Sequence, residues 1–419
     1  MESDYETEIN YYSNASWTVP AHASMFSGKL PSEHSSNTEK PVFDDRNRLT
    51  EKLSELGYRT SLITENFLLT PALGFGEQFD NFLNMQYFGI PRGQVWREIW
   101  NKDKDFSSRY EKWLYFTKAI ISERDLESIG SLKNYLFDKI RDTGEAYNPT
   151  YTSKTIKQID KLLQDKSEKD LIVTNLMAAH YSCTFNQEQK EIFLEDYDRE
   201  KIQNLIQRGT FDEFVKENPN LSDEDFDIIR KSYRASIRYL DGRIEEMYEN
   251  SPEDTVFVVL GDHGEVIGEH SIEGTRIYEH HFGTFKELVD VHFQIFPKNI
   301  SIEGGKISSH KDLIEILSSL TDGSNLRCNT HCISEYYGRK GFSNYFNKNM
   351  PENMDVMFSR RSFSVTSNDY KLDIASEGEK LHKLKSDRLV VKDDSVIKEE
   401  LKSKIPFVLE TILRENNFL

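Results

Sequence analysis

TVFVVLGDHGE, residues 255–265, runs five apolar residues together and then breaks into Gly261, Asp262, His263, Gly264 and Glu265. A short continuous apolar run bounded by such residues reads as a strand buried within a sheet. The residues that end it are ligand types: a carboxylate beside an imidazole, followed by a glycine that lets the backbone turn closely around a bound ion. Taken alone, an Asp-His pair at a strand end is more often a cap and turn than a metal site.

Working outward, the same kind of unit recurs. DRNRLTEKLSELG (45–57) reads as an amphipathic helix ending at Gly57, and YRTSLIT follows as a buried strand. DLIVTNLMAAH (170–180) reads as a second strand that ends in a histidine, and LVDVHFQIF (288–296) as another. Residues 222–250 form a long helix with a Ser/Asp-rich start, and SSHKDLIEILSSLTDG (308–323) a helix ending at Gly323. Alternating helices and strands imply an α/β fold: a mostly parallel sheet with helices on both faces. Ligands bind such sheets beyond the carboxyl ends of the strands. That edge receives Glu65 and Asn66, then His180, then Asp262 and His263, with His280 and His281 further on. Residues 83–168 are rich in aromatics and charges and read as a variable helical insertion. After Tyr337 the pattern changes: MFSRRSFSVTSNDYKLDIA (357–375) alternates like antiparallel strands turning at Ser367-Asn368-Asp369, and 396–416 reads as a closing helix. The expected division is a catalytic domain over 1–335 and a small α+β C-terminal subdomain over 336–419.

Composition narrows the function classes. The 419 residues are 37% hydrophobic and 30% charged, with a net charge of −18 from 71 acidic and 53 basic residues. That balance excludes a nucleic-acid-binding surface, which needs clustered Lys and Arg. No run approaches the roughly 18–20 apolar residues of a membrane span. The opening MESDYETEINYY is no secretory signal, which as written points to the cytoplasm. Three cysteines make no disulfide framework. Cys328 and Cys332, with His331 between them, read as ordinary thiols rather than a metal clip.

The second chemical cluster is SNASWTVPAHASMFSG (13–28), in which Thr18 precedes Pro20 by two residues and His22 by four. Pro20 fits a helix start, where its missing N–H costs nothing. Thr18 would then lie just before a helix N-terminus, where backbone N–H groups and the helix dipole favour an anion. A hydroxyl there, beside a divalent metal, can be deprotonated and attack phosphorus or sulfur. The plain alternative is a threonine that only caps the helix.

The spacing Thr18-x-Pro20-x-His22-x-Ser24, then Ser27-Gly28 and Pro31-Ser32-Glu33-His34, resembles the signature of the sulfatase family, within the alkaline-phosphatase superfamily. Leu56-Gly57-Tyr58-x-Thr60, Gly74-Phe75, Phe79-Asp80-x-Phe82, Asn175 to His180, Tyr233 to Asp241, Asp262 to Glu265, Gly268-Glu269-His270 and Tyr370-Lys371-Leu372 follow in family order. The resemblance implies an alkaline-phosphatase-like fold and hydrolysis of a sulfate or phosphate ester of a small molecule or glycan. It implies Thr18 as nucleophile, His22 in place of the family's arginine, and His180 on the ester oxygens. His280 or His281 would bind the substrate anion, with Asn66 near it. Asp262 and His263 would hold one divalent ion, Ca²⁺ or Mg²⁺ by family habit, with Mn²⁺ or Zn²⁺ as alternatives favoured by the nitrogen ligand.

Three departures accompany the resemblance. Sulfatases convert Cys or Ser into formylglycine, which threonine cannot yield, so Thr18 resembles the direct nucleophile of the phosphatase branch. Glu65, Asn66 and Phe67 stand where the family places Lys-x-His. The family also opens with a central strand carrying two metal carboxylates, and the sequence as written starts downstream of it. The expectation is a sheet missing its first central strand, the N-terminus being truncated. The alternative to an active enzyme is an impaired or inactive relative that acts as a binding protein.

Overall fold

The computed structural model describes residues 9–38, 40–85, 150–164, 169–180, 183–207, 221–272, 275–297, 301–338, 359–375, 378–384, 389–392, 394–415 and 418. The chain enters through β1 (Asn10–Tyr12) and α1 (Thr18–Ser27), followed by the single turn α2 (Pro31–His34) and by α3 (Arg48–Glu55). β2 (Tyr58–Thr64), β3 (Asn81–Asn84), α4 (Thr150–Leu163) and β4 (Lys169–Asn175) come next. Three strands pair in parallel in the order β3-β2-β4. The expected helical insertion is described only at its ends, in β3 and α4. Residues 86–149 of that expectation lie outside the described residues.

α5 (Gln187–Leu194), α6 (Arg199–Gln207) and the long α7 (Asp223–Glu249) lead to β5 (Phe257–Leu260). α7 starts where its sequence says it should. Ser222 accepts from the Asp225 N–H at 3.2 Å, and the Asp225 carboxylate accepts from the Ser222 N–H at 2.9 Å. After β5 come β6 (Val266–Ile272), β7 (Thr275–Glu279), α8 (Lys286–Val289) and β8 (Phe293–Phe296). The stretch 288–296 is therefore not one strand: its first part closes a helical turn, and β8 runs antiparallel to β5. Phe257 and Phe296 stack across that pair, ring centroids 5.3 Å apart. β9 (Ile302–Gly304) and β10 (Ile307–Ser309) precede α9 (Leu313–Asp322), and β10 carries β1 in parallel register. The start of SSHKDL is thus strand, and the helix begins later than its periodicity implies.

β11 (Leu326–Cys328) pairs with β9, and β12 (His331–Tyr336) begins an antiparallel meander with β13 (Ser362–Ser367), β14 (Tyr370–Ala375), β15 (Gly378–Leu384) and β16 (Leu389–Lys392). The expected turn falls between β13 and β14. The closing helix is two helices, α10 (Ser395–Lys402) and α11 (Phe407–Glu415), because Pro406 cannot continue the first. Their leucines Leu401, Leu409 and Leu413 cover one face of the meander, against Leu372, Ile374 and Leu381. β4 and β5, apolar in sequence, are only half-buried along their lengths.

The largest cluster positions the site. α1 is buried along its whole length, and Phe26 sits at its centre, edge-on to Phe43, Phe75 and Phe79. Leu49, Leu53, Leu62 and Ile314 close the cluster around it. Burying rings of this size contributes roughly 1.5–3 kcal/mol each, enough to hold the helix and its few polar side chains deep in the fold.

One buried carboxylate ties α2 to the meander. Glu335 of β12 is 1% exposed and accepts hydrogen bonds from the Ser32 N–H, the Ser32 hydroxyl and the Tyr337 hydroxyl, each at 2.8 Å. Burial pushes its carboxyl up to about 7 against the pull of those three donors. The unfolded chain therefore releases this proton first as pH rises. The group's contribution to stability is whole below the ordinary carboxylate pKa and is lost as pH climbs through the folded value. We expect the loss to amount to roughly 3 kcal/mol between about pH 4.5 and about pH 8. Urea unfolding across that range should show the slope in the native protein and a flatter one in Glu335→Gln. Parallel profiles for the two would refute the assignment.

Candidate active site

Trp17 is the N-cap of α1 with extended backbone and no side-chain cap bond, and Thr18 is the first helical residue, buried to 3%. Thr18 is therefore not the capping threonine, and Pro20 lies inside the first turn. Thr18 Oγ1 lies 3.4 Å from His263 Nε2 and accepts from Asn66 Nδ2 at 3.3 Å. His263 Nδ1 is 3.0 Å from the Gly264 carbonyl, which can only accept. The ring proton thus sits on Nδ1, and Nε2 turns a lone pair toward Thr18. Asp262 Oδ2 lies 3.8 Å from His263 Nε2 and 3.8 Å from His22 Nδ1. His22 Nδ1 also donates to the Thr18 carbonyl at 2.9 Å, one helical turn back.

The β5 end is shaped from both sides. A Cβ on Gly264 would stand 1.9 Å from the Glu287 carbonyl oxygen, so only glycine allows α8 to approach, and the Gly264 N–H donates to the Leu288 carbonyl at 2.9 Å. On the other side, His310 Nε2 donates to the Gly261 carbonyl at 3.0 Å, leaving Nδ1 to face the Ser13 hydroxyl at 3.2 Å. The Ser13 oxygen also lies 2.7 Å from the Asp262 carbonyl.

Charge follows from this packing. Burial pushes the Asp262 carboxyl up, but the His263, His22 and His310 rings outweigh it and hold the group at about 2. Burial lowers His22, and His310 falls to about 3. At neutral pH the centre presents an ionised Asp262 carboxylate beside neutral His22 and His310 rings.

A neighbouring group faces it. His280 Nδ1 is 3.0 and 3.2 Å from the two Glu265 oxygens, and its ring centroid is 4.3 Å from that of His263 and 5.2 Å from that of His180. Burial pushes Glu265 up to about 7, opposed by His180 and His263. His180, Glu265 and His280 offer ligand atoms that all lie within 4.8 Å of one another. Glu279 and His281, on either side of His280, have φ of 73° and 78°, left-handed values that non-glycine residues adopt only under constraint. The Tyr336 hydroxyl donates to the His281 carbonyl and supplies part of that constraint.

The family model described as sulfatase matches residues 9–306 of this sequence. The chain belongs to the sulfatase family. No curated protein matches it. Among solved structures it is similar to the phosphonate monoester hydrolase of Agrobacterium radiobacter, with a TM-score of 0.58 at 12% identity, covering 98% of this chain and 88% of that one. It is also similar to the phosphonate monoester hydrolase of Silicibacter pomeroyi (TM-score 0.55, 13% identity, 98% and 88% covered). A third is a protein solved in complex with its substrate D-glucosamine-2-N,6-O-disulfate (TM-score 0.56, 13% identity, 97% and 91% covered). At these identities the likeness is one of fold, an α/β sulfatase architecture with a separate antiparallel sheet. No helix among the described residues is long and apolar enough to cross a membrane.

Within this sulfatase-family fold, Thr18, His22, Asn66, Asp262 and His263 come together around one point, and His180, His280 and His281 line the adjoining side. His180 is not the last residue of β4, which ends at Asn175; it sits in the turn beyond. Glu65 does not face the centre as a ligand. Its carboxylate accepts from the Met177 N–H at 2.8 Å and the Thr152 hydroxyl at 3.2 Å, tying β2 to the β4 turn and α4. Cys328 and Cys332 are buried free thiols.

Sequence reasoning left out Ser13, Glu265 and His310 as working residues. Glu265 stood in the GDHGE string, where its alternation with Asp262 and His263 was the available signal. His310 offered none, since it meets Gly261 only through a tertiary contact across 49 residues. We expect His310→Phe to leave the Gly261 carbonyl without its donor, while Ser13 keeps the Asp262 carbonyl, and to cost about 1–3 kcal/mol. Urea unfolding reads this directly, and a loss below about 0.5 kcal/mol would mean that the clamp does not hold the β5 end.

Proposed function

We propose that this chain is a metal-dependent hydrolase of sulfate or phosphate esters, with Thr18 as the nucleophile. The observation that carries the reading is the convergence of Thr18 Oγ1, His263 Nε2 and the Asp262 carboxylate. The first two are 3.4 Å apart and the last two 3.8 Å. Donors bound to one ion at about 2.0–2.2 Å stand at similar separations. His263 presents its free nitrogen because the Gly264 carbonyl holds the other, as a carbonyl commonly orients the ring of a metal-binding histidine. The residues thus fit a divalent ion held by Asp262 and His263 beside Thr18.

Such an ion supplies Lewis acidity that lowers the pKa of a hydroxyl beside it. The remaining work falls to the chain. Asn66 donates to Thr18 Oγ1 and orients it for attack. Thr18 sits in the first turn of α1, where free N–H groups and the helix dipole favour the developing anion. The Thr18 oxygen gives up its proton and forms a bond to phosphorus. The ester oxygen leaves with the electron pair of the broken P–O bond and takes up a proton in exchange. Water or an alcohol then attacks phosphorus, breaks the Thr18 O–P bond and returns a proton to the Thr18 oxygen. His180, His280 and His281 are the candidates to receive the ester oxygens. Phosphate is favoured over sulfate, since Thr18 has no route to formylglycine. The phosphonate monoester hydrolases and the protein bound to a disulfated glucosamine support an anionic ester of a small molecule or glycan as substrate.

Turnover of matched aryl phosphate and aryl sulfate esters with Mg²⁺, Ca²⁺, Mn²⁺ or Zn²⁺ tests the reading. Thr18→Ala should lower kcat at least about 1,000-fold, Thr18→Ser should retain measurable activity, and intact-mass analysis should trap one phosphoryl group on the native chain. Activity that survives Thr18→Ala would remove Thr18 as nucleophile. No turnover of either ester with any of the four ions would favour a binding protein instead.

A further inference from the structure

We propose that Phe67 is a specificity-determining residue whose ring covers the alcohol half of the ester and selects a neutral alcohol bearing an aryl or sugar ring. Phe67 follows Asn66, whose Nδ2 donates to Thr18 Oγ1 at 3.3 Å. Consecutive Cα atoms stand about 3.8 Å apart, so Phe67 begins one residue from a side chain that touches the nucleophile. The two residues lie beyond the carboxyl end of β2, the edge at which such sheets bind ligands. Their surroundings are interior: Glu65 and Asn66 are each 2% exposed and Leu69 is fully buried, whereas Phe67 is 48% exposed. The other exposed phenylalanine among the described residues, Phe407, opens α11, the helix that covers the meander.

The exposure is built into a braced turn. Asn84 Nδ2, at the end of β3, donates to the Asn66 carbonyl at 2.8 Å and to the Leu69 carbonyl at 3.3 Å. Within the turn the Leu69 N–H donates to the Asn66 carbonyl at 3.2 Å, and the Leu68 N–H to Asn66 Oδ1 at 2.9 Å. Leu68 and Leu69 pack into the cluster around Phe26, which leaves Phe67 at the tip. An apolar ring fixed in water beside the nucleophile gains free energy when a ligand covers it. The stretch NFLLTPALGFG (66–76) carries no charged residue, in a chain that is 30% charged. It offers no ion-pair partner to a charged alcohol. What it can recognise is the face of a ring, which packs on an aromatic side chain.

The role of Phe67 in turnover rests on the ester-hydrolase reading, so binding and turnover are read separately on the full chain. Binding is measured by titration calorimetry with phenylphosphonate and methylphosphonate, which differ in the ring and have no ester bond to break. The native chain should bind the phenyl compound about tenfold more tightly. Phe67→Ala should erase that difference and Phe67→Tyr should restore it. Turnover of phenyl phosphate, glucose 6-phosphate and methyl phosphate then tells an aryl from a sugar ring. Phe67→Ala should raise KM about tenfold for the matching ring ester and act on kcat little, because the ring contact is the same in ground and transition states. Equal handling of ring and methyl compounds by the native chain, or a ring preference that survives Phe67→Ala, would overturn the inference. A KM raised alike for all three esters would do the same, and turnover would leave the hydrolase reading standing in each case. A binding preference lost in Phe67→Ala, with no ester turned over, would uphold the ring contact and sink the hydrolase reading. Neither binding nor turnover would overturn both.

Discussion

Residues 13–18 run buried through the middle of the fold, and the polar side chains of Ser13, Asn14 and Thr18 find partners inside the protein. Ser13 meets His310 and the Asp262 carbonyl, and Asn14 donates to the Ile333 carbonyl and accepts from the Lys311 N–H. The Asn14 carbonyl accepts from Glu335. One short segment thereby fixes the β5 end, the start of α9 and the first strand of the meander relative to one another. Burying such groups unpaired costs on the order of 1–3 kcal/mol each, so these contacts form together or the segment cannot lie there at all. Thr18, which ends the segment, inherits its position from them.

The chemistry of the centre follows from how it is buried. Three imidazoles surround Asp262, and burial keeps His22 and His310 neutral while the carboxylate stays ionised. Next to it, Glu265 lies among His180, His263 and His280 with its proton affinity pushed upward. Two carboxylates in neighbouring pockets are thus driven in opposite directions by their surroundings, one toward permanent charge and the other toward neutral pH. The strain at Glu279 and His281 belongs to the same construction, because it turns two adjacent histidines into one cleft.

Strand-end chemistry was legible because it is local. Asp262-His263-Gly264 follows an apolar run, and Gly264 is required by the backbone of α8 pressing against it. The capping box of α7 and the β13–β14 turn were legible for the same reason. Stretch 288–296 misled because a buried helical turn and a buried strand present the same unbroken apolar run, and only packing separates them. The closing helix misled through Pro406, whose break a hydrophobic period passes over. The His180 turn extends beyond its strand because the Met177 N–H goes to the Glu65 carboxylate and the Thr184 N–H to the Ala178 carbonyl instead of into the ladder.

The sequence by itself determined the order of helices and strands, the sulfatase-family blocks and the ligand-type residues at the sheet edge. Each of these depends on residues within a turn or two of one another. Tertiary structure alone decided that His310 and Ser13 grip the β5 end, that Glu65 braces β2 and β4, and that Glu265 joins His180 and His280. These are meetings between segments far apart in the chain, chosen by which buried polar groups could satisfy one another, and no local spacing encodes that choice.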